Sequence, residues 1–279
     1  MTLTPFLLLL TAVAGLWVHR ALWSGALAAA VFAAYMTGSL HGLAALWIAI
    51  AGALAWAYAK ARSRGARVAL GIAFAIYSLA MGLALLPGFN RVVLADHVVL
   101  SPGAAPYDIA VGFPKVVTGL FILGLINPAL ISRRGLGKVI SRAVPVFAAT
   151  VLVVMIGVYS MGYTAFAPKC TALFLLWAPI NLFFTCLSEE AFFRGFVQHE
   201  LARAGSWSDA AGIGALVIGA ALFGLAHFGG GTSYVVAATL AGLGYGWAFQ
   251  RTQRVEAAMA VHFGVNATHF LLFVYPTFA

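Results

Sequence analysis

Apolar runs of membrane-spanning length recur from one end of this chain to the other, and that recurrence limits the available folds more than any other feature. The first covers Thr4–Val18. Others follow at roughly residues 21–37, 40–59, 68–86, 109–131, 143–166, 172–187, 210–226, 234–249 and 255–274. A helix needs about 20 largely apolar residues to cross the hydrocarbon core, somewhat fewer where the bilayer thins. The 3.6-residue period dominates and strand signals are absent, so the expected fold is all-α. It is a polytopic integral membrane protein with about 8–10 transmembrane helices and a C-terminal catalytic helix core. Composition closes the soluble alternative. The 279 residues are 63% hydrophobic and 8% charged, against about 25% charged in a soluble domain.

The net charge of +9 would suggest nucleic acid in a soluble chain. Here the basic residues sit in short clusters between apolar runs, as the positive-inside rule describes, and no basic stripe interleaved with aromatics accompanies them. No nucleic-acid partner is expected. One cluster is Lys60, Arg62, Arg64 and Arg67; another is Arg133, Arg134, Lys138 and Arg142; Arg251 and Arg254 make a third. Two helices separate the first two, which puts both on one side, assigned to the cytoplasm. The loop at 87–108, with Asp96 and Asp108, falls on the other. The expected location is a cell membrane, plasma or inner, crossed many times, with the active site toward the cytoplasm. His19 and Arg20 follow the first apolar run rather than precede it, the reverse of a cleaved signal peptide. Cys170 and Cys186 fit no disulfide framework or CxxC site and read as apolar packing residues.

Intramembrane charge divides the chain. Residues 1–140 hold almost none and form an N-terminal transmembrane region of unassigned role. Residues 141–279 hold three polar motifs. A charged side chain in hydrocarbon costs about 2.5–3.5 kcal/mol on insertion scales, so it usually has a function. In Ser188-Glu189-Glu190-Ala191-Phe192-Phe193-Arg194, Glu190 and Arg194 stand four apart and can pair as a structural couple. Glu189 points about 100° away. It has no local partner and is free to serve as a general base. His227 closes an apolar helix one turn after Phe223 and just before three glycines. His262 and Asn266 share a face of the last apolar run, with His269 nearby. Glu189 and His227 could activate a water, while His262 and Asn266 could donate to the oxyanion that forms on a peptide carbonyl. Gly242 and Gly246 have the GxxxG spacing that lets helices approach closely, and Gly244 lies between them. His199 and Glu200 read as solvated interface residues.

The ordered set EExxxR (Glu189, Glu190, Arg194), FxxxH (Phe223, His227) and HxxxN (His262, Asn266) resembles the CPBP family of intramembrane peptidases. That family takes in the type II CAAX prenyl endopeptidases, the abortive-infection and bacteriocin-processing homologues, and the myxosortase-like sorting peptidases. The resemblance covers roughly residues 172–275. It implies Glu189 as the catalytic glutamate, His227 as its partner on the water, His262 and Asn266 as the oxyanion or ligand pair, and Glu190 with Arg194 as a structural pair. It also implies a membrane-associated or lipidated protein or peptide as substrate. No cofactor is certain. Glu189, His227 and His262 could supply a two-histidine, one-carboxylate zinc site, although HExxH is absent. A transporter or scaffold keeping the motifs for packing is the alternative, weakened by the lack of internal symmetry. A lipid transferase fits poorly, since Asp96, Asp108 and Asp209 form no Asp-rich motif.

Overall fold

The computed structural model describes residues 2–279. Its helices in chain order are α1 (Thr4–Val18), α2 (Arg20–Met36), α3 (Ala44–Lys60), α4 (Arg64–Gly82), α5 (Pro114–Phe121), α6 (Leu136–Ser160), α7 (Leu173–Ile180), α8 (Leu187–Phe192), α9 (His199–Ala204), α10 (Asp209–Leu225), α11 (Thr232–Thr252) and α12 (Val255–Leu272). Helix starts carry recognisable caps: Ser63 accepts from the Ala66 N–H at α4, and Ser208 from Ala211 at α10. The protein is a polytopic all-α membrane protein. Three helical stretches, Arg64–Gly82, Leu136–Ser160 and Leu173–Ala204, are long and apolar enough to cross a bilayer by themselves.

The third of these is continuous but not uniform. Pro179 lies inside α7 and removes a ladder donor. A π-helical turn follows at Asn181–Cys186, α8 restores the α-helix for six residues, and a second π turn occupies Phe193–Gln198. Such turns re-aim side chains and are frequent at functional sites. Glu189 and Glu190 sit on the short segment between the two.

Two expectations need correction. Strands exist: β1 (Val92–Val98) and β2 (Tyr107–Val111) pair into a two-stranded sheet. The mixed burial along β1 gives no clean alternation to read. In addition, the apolar run at 109–131 is not one span. It starts as strand, turns helical only at Pro114, and ends with a π turn at Ile122–Ile126 and a 3₁₀ turn at Pro128–Leu130. The helical part, 114–126, reaches only about 20 Å at 1.5 Å per residue.

The chain forms two compact units. The first comprises the chain up to Val93, Ala110–Arg133 and Phe183–Phe192. In it α1 packs on α2, α3 on α4, and α5 on α1, α3, α4 and α8. Aromatic edges join these helices, with Phe6 against Phe113 and Trp23 against Phe121. The second comprises Leu94–Ile109, Arg134–Leu182 and Phe193–Ala279. There α11 packs on α6, α10 and α12, and α6 on α12. Ile109, Trp177 and Phe270 form a buried core cluster. Lys169 ties the preceding loop to the C-terminal end of α12 by donating to the Phe270 carbonyl at 2.8 Å and to that of Phe273. A cation there complements the exposed carbonyl dipoles.

Candidate active site

In the first unit, Glu189 is nearly buried, its side chain 10% exposed. It has a partner that local spacing could not disclose. Lys115 Nζ, from α5, donates to Glu189 Oε1 at 2.9 Å. Lys115 comes from the N-terminal stretch that holds almost no intramembrane charge. The contact depends on a close helix crossing. Gly119 stands one turn after Lys115 on α5, and a Cβ added to it would lie 3.2 Å from the Ser188 Cα. The backbone of α8 therefore sits against the Lys115–Gly119 face of α5 one residue before Glu189. Glu190 is fully buried beside it.

In the second unit, Arg194 is fully buried. Its Nη2 donates to the Gly242 carbonyl at 2.8 Å, and Gln198 Nε2 donates to the Gly246 carbonyl at 3.0 Å. Residues four apart on one stretch thus bond glycine carbonyls four apart on α11. Both carbonyls are approached closely because these positions lack a Cβ. A Cβ at Gly242 would lie 3.2 Å from Arg194 Nη2, and one at Gly246 would lie 2.8 Å from Gln198 Oε1. The GxxxG spacing is a close-packing device, as expected.

The Arg194 guanidinium also lies over the rings of Phe223 (4.7 Å) and Tyr245 (5.3 Å). Those rings organise both histidines. His227 packs on Phe223 with ring centroids 4.6 Å apart, and His262 meets the same ring edge-on at 5.6 Å. The FxxxH spacing therefore brings His227 and His262 to one phenyl group. Half-buried His227 donates from Nδ1 to the Phe223 carbonyl at 2.7 Å. With Nδ1–H donating, Nε2 carries the lone pair. Buried His262 stacks on Tyr245 at 4.4 Å and 14°. Tyr245 was not singled out in the sequence; its place one turn after Ala241 on an apolar helix reads as ordinary core.

Asn266 donates from Nδ2 to Asn181 Oδ1 at 3.2 Å, at the start of the first π turn. His269 does not join His262. Its Nε2 meets the Val274 carbonyl at 3.1 Å and its ring packs on Tyr275. His199 and Glu200, read as solvated interface residues, are half-buried: the imidazole packs on Trp207 and Phe249, and Glu200 pairs with Arg203. Cys186 is buried, but Cys170 is exposed, so only one packs as read. Among the described residues, Asp96, His97 and Asp108 each place a ligand atom within 4.8 Å of the others. In that trio Asp96 and His97 are exposed and Asp108 is half-buried.

Residues 171–268 match the family model described as type II CAAX prenyl endopeptidase Rce1-like. No curated protein and no solved structure matches the chain. The matched stretch contains Glu189, Glu190, Arg194, Phe223, His227, His262 and Asn266. The family is one of proteases, and over this stretch the chain is similar to the type II CAAX prenyl endopeptidases, in agreement with the resemblance read from the three motifs.

Proposed function

We propose that the chain is an intramembrane endopeptidase that hydrolyses a peptide bond in a membrane-associated or lipidated protein. Glu189 takes a proton from a water whose oxygen attacks the scissile carbonyl carbon, and His227 orients that water through Nε2. His262 and Asn266 donate to the oxyanion of the tetrahedral intermediate. The carbon–nitrogen bond then breaks, and the departing amine takes its proton back from Glu189. Glu190 and Arg194 hold the helix on which the base is carried. The observation that carries this reading is the family match across all three polar motifs in order. The buried setting of Glu189 and the Nδ1 bond of His227 support it.

A zinc ion held by Glu189, His227 and His262 fits this donor set poorly. The Lys115 ammonium already occupies Glu189 Oε1, and a dication at the same carboxylate would be opposed by that charge. No step is assigned to a metal. The basic clusters support a site that opens toward the cytoplasmic side of a cell membrane.

The test compares protein termini in cells carrying the parent chain with those in cells carrying Glu189→Gln, across membrane, surface and secreted fractions. A small set of termini should vanish in the variant. Identical sets, with both proteins present and folded, would refute the assignment.

A further inference from the structure

We infer that Lys115 is a positioning residue for Glu189, so that the N-terminal half of the chain supplies part of the hydrolytic machinery. The inference rests on the reading of Glu189 as the general base. Three observations carry it. The Lys115 ammonium contacts Glu189 Oε1 at 2.9 Å. Lys115 and Gly119 share one face of α5, and α8 packs tightly on that face, a Cβ on Gly119 meeting the Ser188 Cα at 3.2 Å. Finally, the two partners differ in exposure: the carboxylate is 10% exposed and the lysine 51%.

That asymmetry suits the role. A carboxylate out of water needs a compensating charge to remain an anion, and an anion is what a general base must be. The lysine, half of whose side chain stays accessible, supplies that charge directly at Oε1. The pair also limits rotation about the last side-chain bond of Glu189, a freedom that would otherwise spread the carboxylate over unproductive orientations. Deletion of the ammonium should therefore slow the chemical step without weakening substrate capture.

The experiment uses the full chain in proteoliposomes and a synthetic peptide spanning the strongest cut that depends on Glu189 in the terminal comparison. Lys115→Met should lower kcat by about 30- to 300-fold, within the range of a lost acid–base contribution, with KM changed less than about threefold. Lys115→Arg, which retains a cation in reach, should recover activity to within about fivefold of the parent. Thermal midpoints of the purified variants should agree with the parent within a few degrees. If Lys115→Met does not fold, Lys115→Gln carries the same test. Parent-like kcat in Lys115→Met overturns the inference while leaving Glu189 as the base. A raised kcat would make the pair an inhibitory latch, and a raised KM alone would make Lys115 a substrate contact; either refutes positioning. If no cut depends on Glu189, the proposed function fails and the inference falls with it.

Discussion

Arg194 carries a charge into the interior of the second unit, and what it touches there allows the cost of its removal to be worked out. The guanidinium is fully buried, donates to the Gly242 carbonyl at 2.8 Å, and lies 4.7 Å from the Phe223 centroid. A hydrogen bond from a charged donor contributes about 1.5–3 kcal/mol. A desolvated cation–π contact adds roughly 2 kcal/mol. Against these stands the desolvation of the cation itself, several kcal/mol, which Arg194→Ala removes along with the contacts. The Gly242 carbonyl keeps its bond within α11, and what the variant leaves is the void where a long, fully buried side chain filled the space between α11 and the π turn. Together these give a net loss of about 3–5 kcal/mol. At roughly 2–4 °C per kcal/mol for a chain somewhat shorter than this one, the thermal midpoint in detergent should fall by about 6–20 °C. Arg194→Lys keeps the charge but loses the planar stack on Phe223, and should fall about half as far. Intrinsic fluorescence on heating, read together with retention of monodispersity, measures both. A midpoint for Arg194→Ala within about 3 °C of the parent would refute the assignment of Arg194 as the tie between its helix and the glycine face of α11.

Further outcomes follow from the same geometry. Tyr245→Phe keeps the ring stacked on His262 and should retain turnover within about threefold, whereas Tyr245→Ala should lose about 10- to 100-fold in kcat with its midpoint lowered; equal effects of the two would point to the hydroxyl instead. Exhaustive chelation, with metal content measured on the same sample, should leave cleavage within about twofold of the untreated enzyme, since Glu189 is already engaged by a cation; loss restored by added zinc would reverse that reading. At the β1–β2 pair, the exposed His97 imidazole donates a hydrogen bond to Asp96 and is held by that carboxylate's charge, with Asp108 adding to it, which raises its pKa above the ordinary 6.5. A raised folded value means that the stabilisation is fully present below about pH 6.5 and is lost as pH rises through the raised value. Hydrogen exchange at 92–98 should therefore speed up over that window beyond the intrinsic base-catalysed increase. Asp96→Asn should shrink the excess.

How much could be read beforehand follows from what local periodicity can see. The membrane setting was legible because lipid as solvent leaves a mark on every turn of helix: the helices over 210–226, 234–249 and 255–274 begin and end within a few residues of their apolar runs. The run at 109–131 failed on the same criterion. Hydropathy is blind to backbone geometry, and a strand followed by Pro114 is as apolar as a helix. Spacing within a helix was informative in proportion to how local the interaction is. Phe223 and His227, one turn apart, do pack together. His269, seven residues from His262, turns to Tyr275 because the chain folds back after α12.

The supports of the site lie beyond that horizon. Glu189 is met by a lysine 74 residues earlier, Arg194 by a carbonyl 48 residues later, and Asn266 by an asparagine 85 residues earlier. None of these has a period, and Lys115 looks in sequence like one more basic residue for counting loop charge. Yet a buried carboxylate poses a question that sequence can raise: a charge taken from water demands compensation from somewhere. For Glu189 the answer comes from the N-terminal half, through a glycine that lets α5 and α8 touch. The half with no assigned role is thus the half that holds the proposed base in place, and a substitution at Gly119 that separates the two helices should affect turnover as Lys115→Met does.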